Sequence, residues 1–348
     1  MVFSYYLYKY PYKLLWYINY FIGKTPDLAF YCADPLDYEM FQPIQKFLPE
    51  MIIIAKNNKV KDYLVQKGIK YISMPSFPKA VIMARQMPYK FPVDRIIKFG
   101  FDHGLYQFKR WTSPENYNRF NIYFVSSSDQ VSTARRLGIK TVKAIGYPKL
   151  DNAFNGEYDE KFLNIIKSSI NIDPDKRTII FTSTWDVAGL SALTKWIDNL
   201  DLLTDKYNIL VTVHTWTSPK YIAKLKSMKN ILFIDEYDVT PYLMIADVLV
   251  GDYNSIMGEF CAFNKPIITF KVPESDRTIP EIITMIANIS LQINDFNELP
   301  DALEKCICNP DEKSVERQKA NNIFFYALDG KAGERAAKII TDLIEENY

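Results

Sequence analysis

The chain has 348 residues, enough for two domains, and 48% of them are hydrophobic. Its formal net charge is +1, from 42 basic and 41 acidic residues, which excludes a general electrostatic attraction to nucleic acid. The four cysteines lack metal-ligand spacing, so we predict reduced thiols in a cytoplasmic protein and no metal centre.

The first 23 residues are crowded with aromatic side chains and interrupted by lysines. A bilayer-spanning helix needs about 20 mostly apolar residues, and Lys9, Pro11 and Lys13 break this run. Beyond Pro11, apolar residues recur at helical spacing and predict one apolar face, formed by Leu14, Leu15, Ile18, Phe21 and Ile22. Such a face is typical of a helix on a membrane surface, and equally of a helix that packs on its own domain. We therefore predict an amphipathic segment over 1–23 and leave these two roles open.

Residues 24–151 alternate strand-like and helix-like segments, which is typical of a parallel sheet wrapped by helices. The predicted strands of this domain cover 27–33, 50–55, 70–74, 80–84, 96–101, 122–127 and 141–146. Helices are predicted over 59–66 and 129–137. Asp129 is the predicted N-cap of the second helix, and Gly138 marks its end.

Residues 152–330 repeat this alternation and predict a second α/β domain. After a polar helix over 157–171, the predicted strands cover 177–184, 208–214, 230–235, 247–251 and 266–270. Residues 331–348 predict a final helix, too short to be a domain. The predicted architecture is therefore two successive Rossmann-like α/β domains with parallel sheets facing a cleft, and a C-terminal helix that crosses back.

The sequence contains only two histidines, and each stands at the carboxyl end of a predicted strand. They are His103 and His214, one in each domain. In open α/β sheets the carboxyl ends of the strands border the ligand crevice. Imidazole titrates near neutrality, so the pair predicts proton-transfer or phosphate chemistry. The alternative is that each histidine only bonds a neighbouring loop.

A strand, a tight polar loop, a helix and a further strand follow one another over 246–270. The loop over 251–255 would present hydroxyl, amide and backbone N–H groups at the start of the helix, where phosphate is attracted. Glu259 lies one turn after Ser255, in position to accept hydrogen bonds from ribose hydroxyls. The same residue types also serve as ordinary helix caps, so a nucleotide site and a capped helix both remain open.

Six motifs occur in an order and spacing that resemble those of the CDP-glycerol glycerophosphotransferases. These are enzymes of teichoic-acid and capsule synthesis with the two-domain glycosyltransferase-B (GT-B) architecture. The resemblance covers nearly the whole chain except the aromatic N-terminus. The motifs are His103-Gly104, the turn Gly146-x-Pro148-x-x-Asp151, Thr184-Trp185, His214, the pattern Asp247-Val248-Leu249-x-x-Asp252-Tyr253-x-Ser255, and Asp329-Gly330-Lys331 with Arg335.

In this family an acceptor hydroxyl attacks the glycerol-bearing phosphate of CDP-glycerol, and CMP leaves. The resemblance implies that His103 is the base that takes the acceptor proton and that His214 contacts the diphosphate. It implies an acceptor-side domain over 24–151 and a nucleotide-donor domain over 152–330. Acceptor-side roles fall to Gly104, Lys109 and Arg110, and donor or phosphate contacts to Thr184, Asp252, Asn254, Ser255, Glu259, Lys331 and Arg335.

The resemblance also implies the partners and the location of the protein. The donor would be CDP-glycerol or a similar CDP-polyol, and the acceptor a lipid-linked saccharide or polyol phosphate. The location would be cytoplasmic and peripheral, on the inner face of the cell membrane. No cofactor is required, and a magnesium ion riding on the donor diphosphate is left open. The basic–aromatic cluster 109–111 suits either a lipid diphosphate or a solvated loop, and no nucleic-acid partner is expected.

Three departures from the family pattern leave the activated donor open. The chain has Ser183-Thr184-Trp185-Asp186 where the family usually has Pro-Thr-Trp-Arg. Asn254 precedes Ser255 where the family usually has two serines, and the loop after Gly104 lacks the usual lysine-containing sequence. Two other functions therefore stand beside polyol-phosphate transfer. One is a GT-B glycosyltransferase that uses a nucleotide sugar, and the other is a non-catalytic assembly subunit of the same fold.

Overall fold

The structure is a computed structural model that describes residues 2–102, 104–105, 112–273 and 280–348. The described residues form two compact units. The first unit contains those up to 102, those from Thr112 to Asp151 and those from Asp329 to Tyr348. The second contains those from Asn152 to Leu328, together with 104 and 105.

The first unit is built on a seven-stranded sheet with the order β3-β2-β1-β4-β5-β6-β7. Its strands are β1 Leu28–Cys32, β2 Ile52–Ala55, β3 Ile72–Ser73, β4 Ala80–Met83, β5 Ile97–Gly100, β6 Ile122–Val125 and β7 Val142–Ala144. Every pairing is parallel. The central strands β1, β4 and β5 are buried along their whole length. This double-sided burial explains their continuous apolar sequences.

The helices of this unit are α1 Val2–Phe21, α2 Pro35–Gln45, α3 Asn58–Gln66, α4 Pro114–Tyr117 and α5 Ser128–Arg136, and α6 Asp151–Phe154 begins at its last residue before the second unit. Helices α3 and α5 lie close to the two helices predicted for this domain. The predicted N-cap of α5 was wrong, because Ser127 caps the helix by accepting the Gln130 N–H at 3.2 Å. Asp129 lies in the first turn instead, where its charge favours the helix dipole. Gly138 follows the helix with a φ of +81°, as its predicted role as the end of the helix requires.

Helix α1 extends further towards the N-terminus than the pattern beyond Pro11 predicts. One face is anchored to the first unit, since the Tyr12 hydroxyl donates to the Ser76 carbonyl at 2.5 Å and Trp16 Nε1 to the Pro78 carbonyl at 2.8 Å. Pro11 removes only one backbone donor from a helix held in this way. A second face is apolar and exposed to solvent, formed by Leu7, Tyr10, Leu14, Ile18 and Phe21. Among the residues that the structure describes, no helix is long and apolar enough to cross a membrane.

The second unit is built on a six-stranded sheet with the order β10-β9-β8-β11-β12-β13. Its strands are β8 Arg177–Ser183, β9 Tyr207–Val213, β10 Leu232–Phe233, β11 Val248–Gly251, β12 Ile267–Phe270 and β13 Leu291–Ile293. All pairings are again parallel. The helices are α7 Glu160–Ser169, α8 Leu193–Trp196, α9 Pro219–Ser227, α10 Thr240–Ile245, α11 Ser255–Cys261, α12 Pro280–Ile289, α13 Leu299–Cys308 and α14 Ser314–Phe324. Strand β13, at the edge of this sheet, was not predicted.

The C-terminal helix α15, Ala332–Glu345, returns to the first unit. The Asp151 carboxylate accepts the Ala332 and Gly333 N–H groups at 3.1 and 2.6 Å, which fixes the start of this helix. A Cβ on Gly333 would lie 2.3 Å from the carbonyl oxygen of Pro43 in α2. Backbone contact between α15 and α2 therefore requires glycine at this position. The two parallel sheets and the returning helix confirm the predicted fold class.

Candidate active site

Three adjacent strands of the second sheet bring the predicted donor residues to one edge. Thr184 follows β8, His214 follows β9 and Asp252 follows β11. Strand β8 pairs with both β9 and β11, and the strand order reverses between β8 and β11. Ligands of doubly wound folds bind outside the carboxyl ends of the strands at this switch point. The second unit therefore contains the edge at which a nucleotide site is expected.

Asp252 is fully buried at this edge and is surrounded by hydrogen-bond donors. It accepts the Thr184 N–H at 2.9 and 3.0 Å, the Thr184 hydroxyl at 2.8 Å and the Ala192 N–H at 2.8 Å. The Asn254 side-chain amide adds a fourth donor at 3.0 Å. Burial raises the pKa of Asp252, and these hydrogen bonds oppose that rise. Both carboxylate oxygens thus accept hydrogen bonds from the protein and hold Thr184 and Asn254 in place, and the predicted donor contact of Asp252 remains a prediction.

Gly251 allows β8 and β11 to approach closely beside this network. A Cβ at Gly251 would lie 2.8 Å from Thr182 Cγ2 and 3.1 Å from the Thr182 carbonyl oxygen. Real side chains avoid such distances, so any larger residue would push the two strands apart. The glycine before Asp252 is therefore part of what builds the site.

The loop after β11 contains the N-cap of α11, Asn254, and is followed by Ser255, a predicted phosphate contact. Asn254 Oδ1 accepts the Ile256 N–H at 3.0 Å, so the N-cap of α11 is Asn254 and not one of the aspartate or serine residues of this loop. Ser255, the first residue of α11, is half-buried. Glu259 lies one turn further along α11 and is buried. The predicted contacts of Ser255 with phosphate and of Glu259 with ribose remain predictions.

His214 is held in a defined orientation by its own turn. Its Nδ1 accepts the Trp216 N–H at 3.1 Å, and its carbonyl oxygen accepts the Thr217 N–H at 2.9 Å. A neutral imidazole whose Nδ1 is an acceptor carries its proton on Nε2, so His214 presents an N–H donor. The rings of Trp185 and Trp216 lie beside it, with centroids 6.4 and 5.4 Å away. The Trp216 side chain is prominent on this surface, with 62% of the residue exposed.

A hydrogen-bonded pair that sequence reasoning missed joins the loops after β8 and β9. Asp186 accepts the Ser218 N–H at 2.8 Å and the Ser218 hydroxyl at 2.5 Å. Desolvation raises the pKa of Asp186, but the two hydrogen bonds from Ser218 outweigh it and leave the pKa below its usual value. The available signal was the aspartate at position 186, where the family usually has arginine.

Several acceptor-side predictions lie outside the described residues: His103, Lys109 and Arg110. The strand that leads to them, β5, ends at Gly100, where a Cβ would lie 2.4 Å from Tyr123 Cδ2. At Gly104 an added Cβ would meet no described atom within 4 Å. Packing among the described residues therefore explains the glycine at Gly100 but not the one at Gly104.

Arg85 is a cation of the first unit that sequence reasoning did not identify. It follows β4, next to β5, and its Nε donates to the two oxygens of the buried Asp37 at 3.0 and 3.2 Å. The Arg85 side chain keeps 25% of its surface exposed. A guanidinium oriented by a buried carboxylate is pre-organised to bind an anion.

The two C-terminal cations predicted to bind the donor lie in the first unit. Arg335 donates from Nη1 and Nη2 to Asp329 at 2.8 and 2.9 Å, and from Nε to the Ile145 carbonyl at 2.7 Å. Its guanidinium thus ties α15 to the segment before Asp151, and the predicted donor contact of Arg335 remains a prediction. Lys331 is exposed at the start of α15, and its predicted role is unchanged. Among the described residues, no cluster of His, Cys, Asp or Glu side chains could hold a metal ion.

A family model described as CDP-Glycerol:Poly(glycerophosphate) glycerophosphotransferase matches residues 93–342. The chain is 26% identical over 208 residues to the teichoic acid glycerol-phosphate transferase of Staphylococcus aureus, covering 56% of this chain and 53% of that protein. It is 27% identical over 221 residues to the teichoic acid poly(glycerol phosphate) polymerase of Bacillus subtilis, covering 58% of this chain and 28% of that protein. The matched part is thus about half of the first relative's length and less of the second's.

Two solved structures resemble the fold across nearly the whole chain. The wall teichoic acid polymerase TagF superposes with a TM-score of 0.69 at 16% identity, covering 97% of this chain and 98% of that chain. A Staphylococcus aureus MnaA–UDP complex superposes with a TM-score of 0.62 at 16% identity, covering 92% and 97%. At such low identity these likenesses establish the architecture alone.

Proposed function

The chain belongs to the CDP-glycerol:poly(glycerophosphate) glycerophosphotransferase family, and we propose on this basis that it transfers a polyol phosphate, most simply glycerol phosphate, from a CDP-activated donor. The acceptor is a hydroxyl of a lipid-linked saccharide or polyol phosphate in teichoic-acid-like or capsule synthesis. The hydroxyl oxygen attacks the glycerol-bearing phosphorus, the bond to the CMP phosphate breaks, and CMP leaves. The hydroxyl proton passes to a base, for which His103 is the candidate.

One feature of the structure supports this proposal. Thr184, His214 and Asp252 follow three adjacent parallel strands at the switch point of the second sheet. Nε2–H of His214 and the hydroxyl of Ser255 are donors of the kind that stabilises charge on a transferred phosphoryl group. Donors already fixed in place do not need to reorganise as the charge develops.

The test is to offer CDP-glycerol, CDP-ribitol and UDP-sugars to the protein and to identify the nucleotide released. Stabilisation against heat by a CDP-polyol, with CMP as product, supports the proposal. Release of UDP from a UDP-sugar would instead identify a glycosyltransferase. Stabilisation without turnover of any donor would identify a non-catalytic subunit.

The second part of the proposal is a location on the inner face of the cell membrane, through α1. The two faces of this helix support the proposed location. Tyr12 and Trp16 anchor one face to the first unit, and the opposite face exposes apolar side chains. Phe21 is the most exposed of these, at 81%. A helix that leaves such a face in water gains from placing it in the acyl-chain boundary of a bilayer.

A vesicle-sedimentation assay tests this location. We expect Leu14→Asp combined with Phe21→Asp to abolish binding to phosphatidylglycerol-containing vesicles, because two charges then enter the apolar face. The matched control is Leu202→Asp, at a position of the second unit that is 73% exposed, which should bind as the unchanged protein does. Equal binding of the doubly substituted protein and the control would refute the membrane role of α1.

A further inference from the structure

Asp186, which departs from the family pattern, meets a residue of a different loop in the structure. Asp186 lies after β8, where the family usually carries arginine, and Ser218 lies in the loop after β9. The Ser218 N–H and hydroxyl both donate to Asp186, at 2.8 and 2.5 Å. An arginine at position 186 could accept neither hydrogen bond, since guanidinium is a donor only. The two residues therefore form one unit, which we name the Asp186–Ser218 clamp.

The clamp borders the turn that sets the ring orientation and the tautomer of His214. Within this turn Thr217 donates its N–H to the His214 carbonyl at 2.9 Å, and Trp216 donates its N–H to His214 Nδ1 at 3.1 Å. Ser218 is the next residue and directly precedes α9. Fixing Ser218 to the loop after β8 thus fixes the turn from its C-terminal side, while β9 fixes it from the N-terminal side.

We propose that Asp186 and Ser218 are positioning residues that keep the His214 turn closed, so that Nδ1 is always an acceptor and Nε2 always carries the proton. This inference rests on the proposed function for its consequence, because an Nε2–H of fixed direction can donate to the phosphate from which CMP leaves. If the turn opened, the Trp216 N–H would withdraw and the neutral imidazole would populate both tautomers.

The first test reads the imidazole directly and requires no turnover. The chain has only two histidines, so the ring ¹⁵N spectrum contains two sets of signals, and His103→Ala assigns them. For His214 we expect the shifts of an Nε2–H tautomer in the unchanged protein. In Asp186→Ala and Ser218→Ala we expect a mixture of tautomers, and in Ser218→Thr, which keeps the hydroxyl, the original shifts. An unchanged tautomer in both alanine variants would overturn the inference.

The second test separates positioning from binding. We expect Asp186→Ala to lower kcat about tenfold while the KM for CDP-glycerol changes less than about twofold. In a His214→Ala background the same substitution should cause no further loss, because the clamp acts through His214. Ser227→Ala is the matched control, since it removes an exposed hydroxyl that bonds only the Lys224 carbonyl at the far end of α9.

The outcomes distinguish the inference from the function on which it rests. If the unchanged protein releases no CMP from CDP-glycerol, the proposed function fails, and the ¹⁵N measurement still decides whether the clamp sets the tautomer. If CMP is released but Asp186→Ala reacts as fast as the unchanged protein, the clamp inference fails alone. Losses that multiply in the double variant with His214→Ala would also contradict it, because they would show that Asp186 acts independently.

Discussion

Replacement of Asp252 by asparagine should damage the second unit almost as much as replacement by alanine. Every partner of the carboxylate is a donor, namely Thr184 through its N–H and hydroxyl, the Ala192 N–H and the Asn254 amide. An asparagine must turn its own NH₂ group towards at least one of them. Each buried donor that loses its acceptor costs about 1–3 kcal/mol, so we expect a loss of roughly 2–4 kcal/mol for asparagine. For alanine, which leaves all four donors unpaired, we expect roughly 3–5 kcal/mol.

Urea unfolding followed by tryptophan fluorescence measures this loss, because Trp185, Trp196 and Trp216 all lie in the second unit. The control is Asp173→Asn, whose carboxylate accepts only the Asp175 N–H on an exposed loop. It should change the free energy of unfolding by less than about 0.5 kcal/mol. If Asp252→Asn were as mild as this control, the reasoning that the site is built around an obligatory acceptor would be refuted.

Three further predictions concern the first unit. Burial raises the pKa of Asp151 to about 6 from its usual 3.8, so the folded state favours the neutral carboxyl group. As the pH rises from 3.8 to 6, the free energy of unfolding therefore falls by up to roughly 3 kcal/mol. The stability difference between the unchanged protein and Asp151→Asn should therefore fall between pH 4 and 6 in urea titrations, and a difference independent of pH would contradict this. Gly333→Ala should lower the stability by about 1–3 kcal/mol, because the new Cβ would clash with the Pro43 carbonyl. Gly104→Ala, which meets no described atom, is the control and should keep the original melting temperature. Equal melting temperatures of the two variants would refute the clash. Arg85→Gln should raise the KM for the acceptor at least about fivefold with little change in the KM for the donor. A raised KM for the donor alone would contradict this prediction, because it would show that Arg85 contacts the donor.

Most of the fold was predictable because parallel strands buried on both faces leave long apolar runs in the sequence. All seven strands of the first sheet fall inside predicted runs, among them the short β7. The failures have local causes. Strand β13, at the edge of the second sheet, was not predicted, and the cap of α5 depended on whether Ser127 or Asp129 turned towards the open N–H groups.

The positions of the candidate site residues at strand ends could be predicted, but their hydrogen-bond partners could not. Residues at strand ends can be identified from the chain alone, which is why His214, Thr184 and Asp252 were found. The partners of those residues depend on which strands are neighbours, and strand order is not written in local sequence. The hydrogen bonds between Asp252 and Thr184, 68 positions earlier in the chain, could therefore not be predicted. The same holds for Arg335, whose guanidinium donates to Asp329 and to the Ile145 carbonyl.

The central claim is that a polyol phosphate, rather than the polyol alone, moves to the acceptor. The direct test uses CDP-glycerol labelled with ³²P in the glycerol-bearing phosphate, together with a polyol-phosphate acceptor. We predict that the label appears in the extended acceptor, that unlabelled CMP is released, and that His214→Ala retains donor binding but transfers the label about a hundredfold more slowly. Label recovered as CDP, with an unlabelled product, would contradict the account.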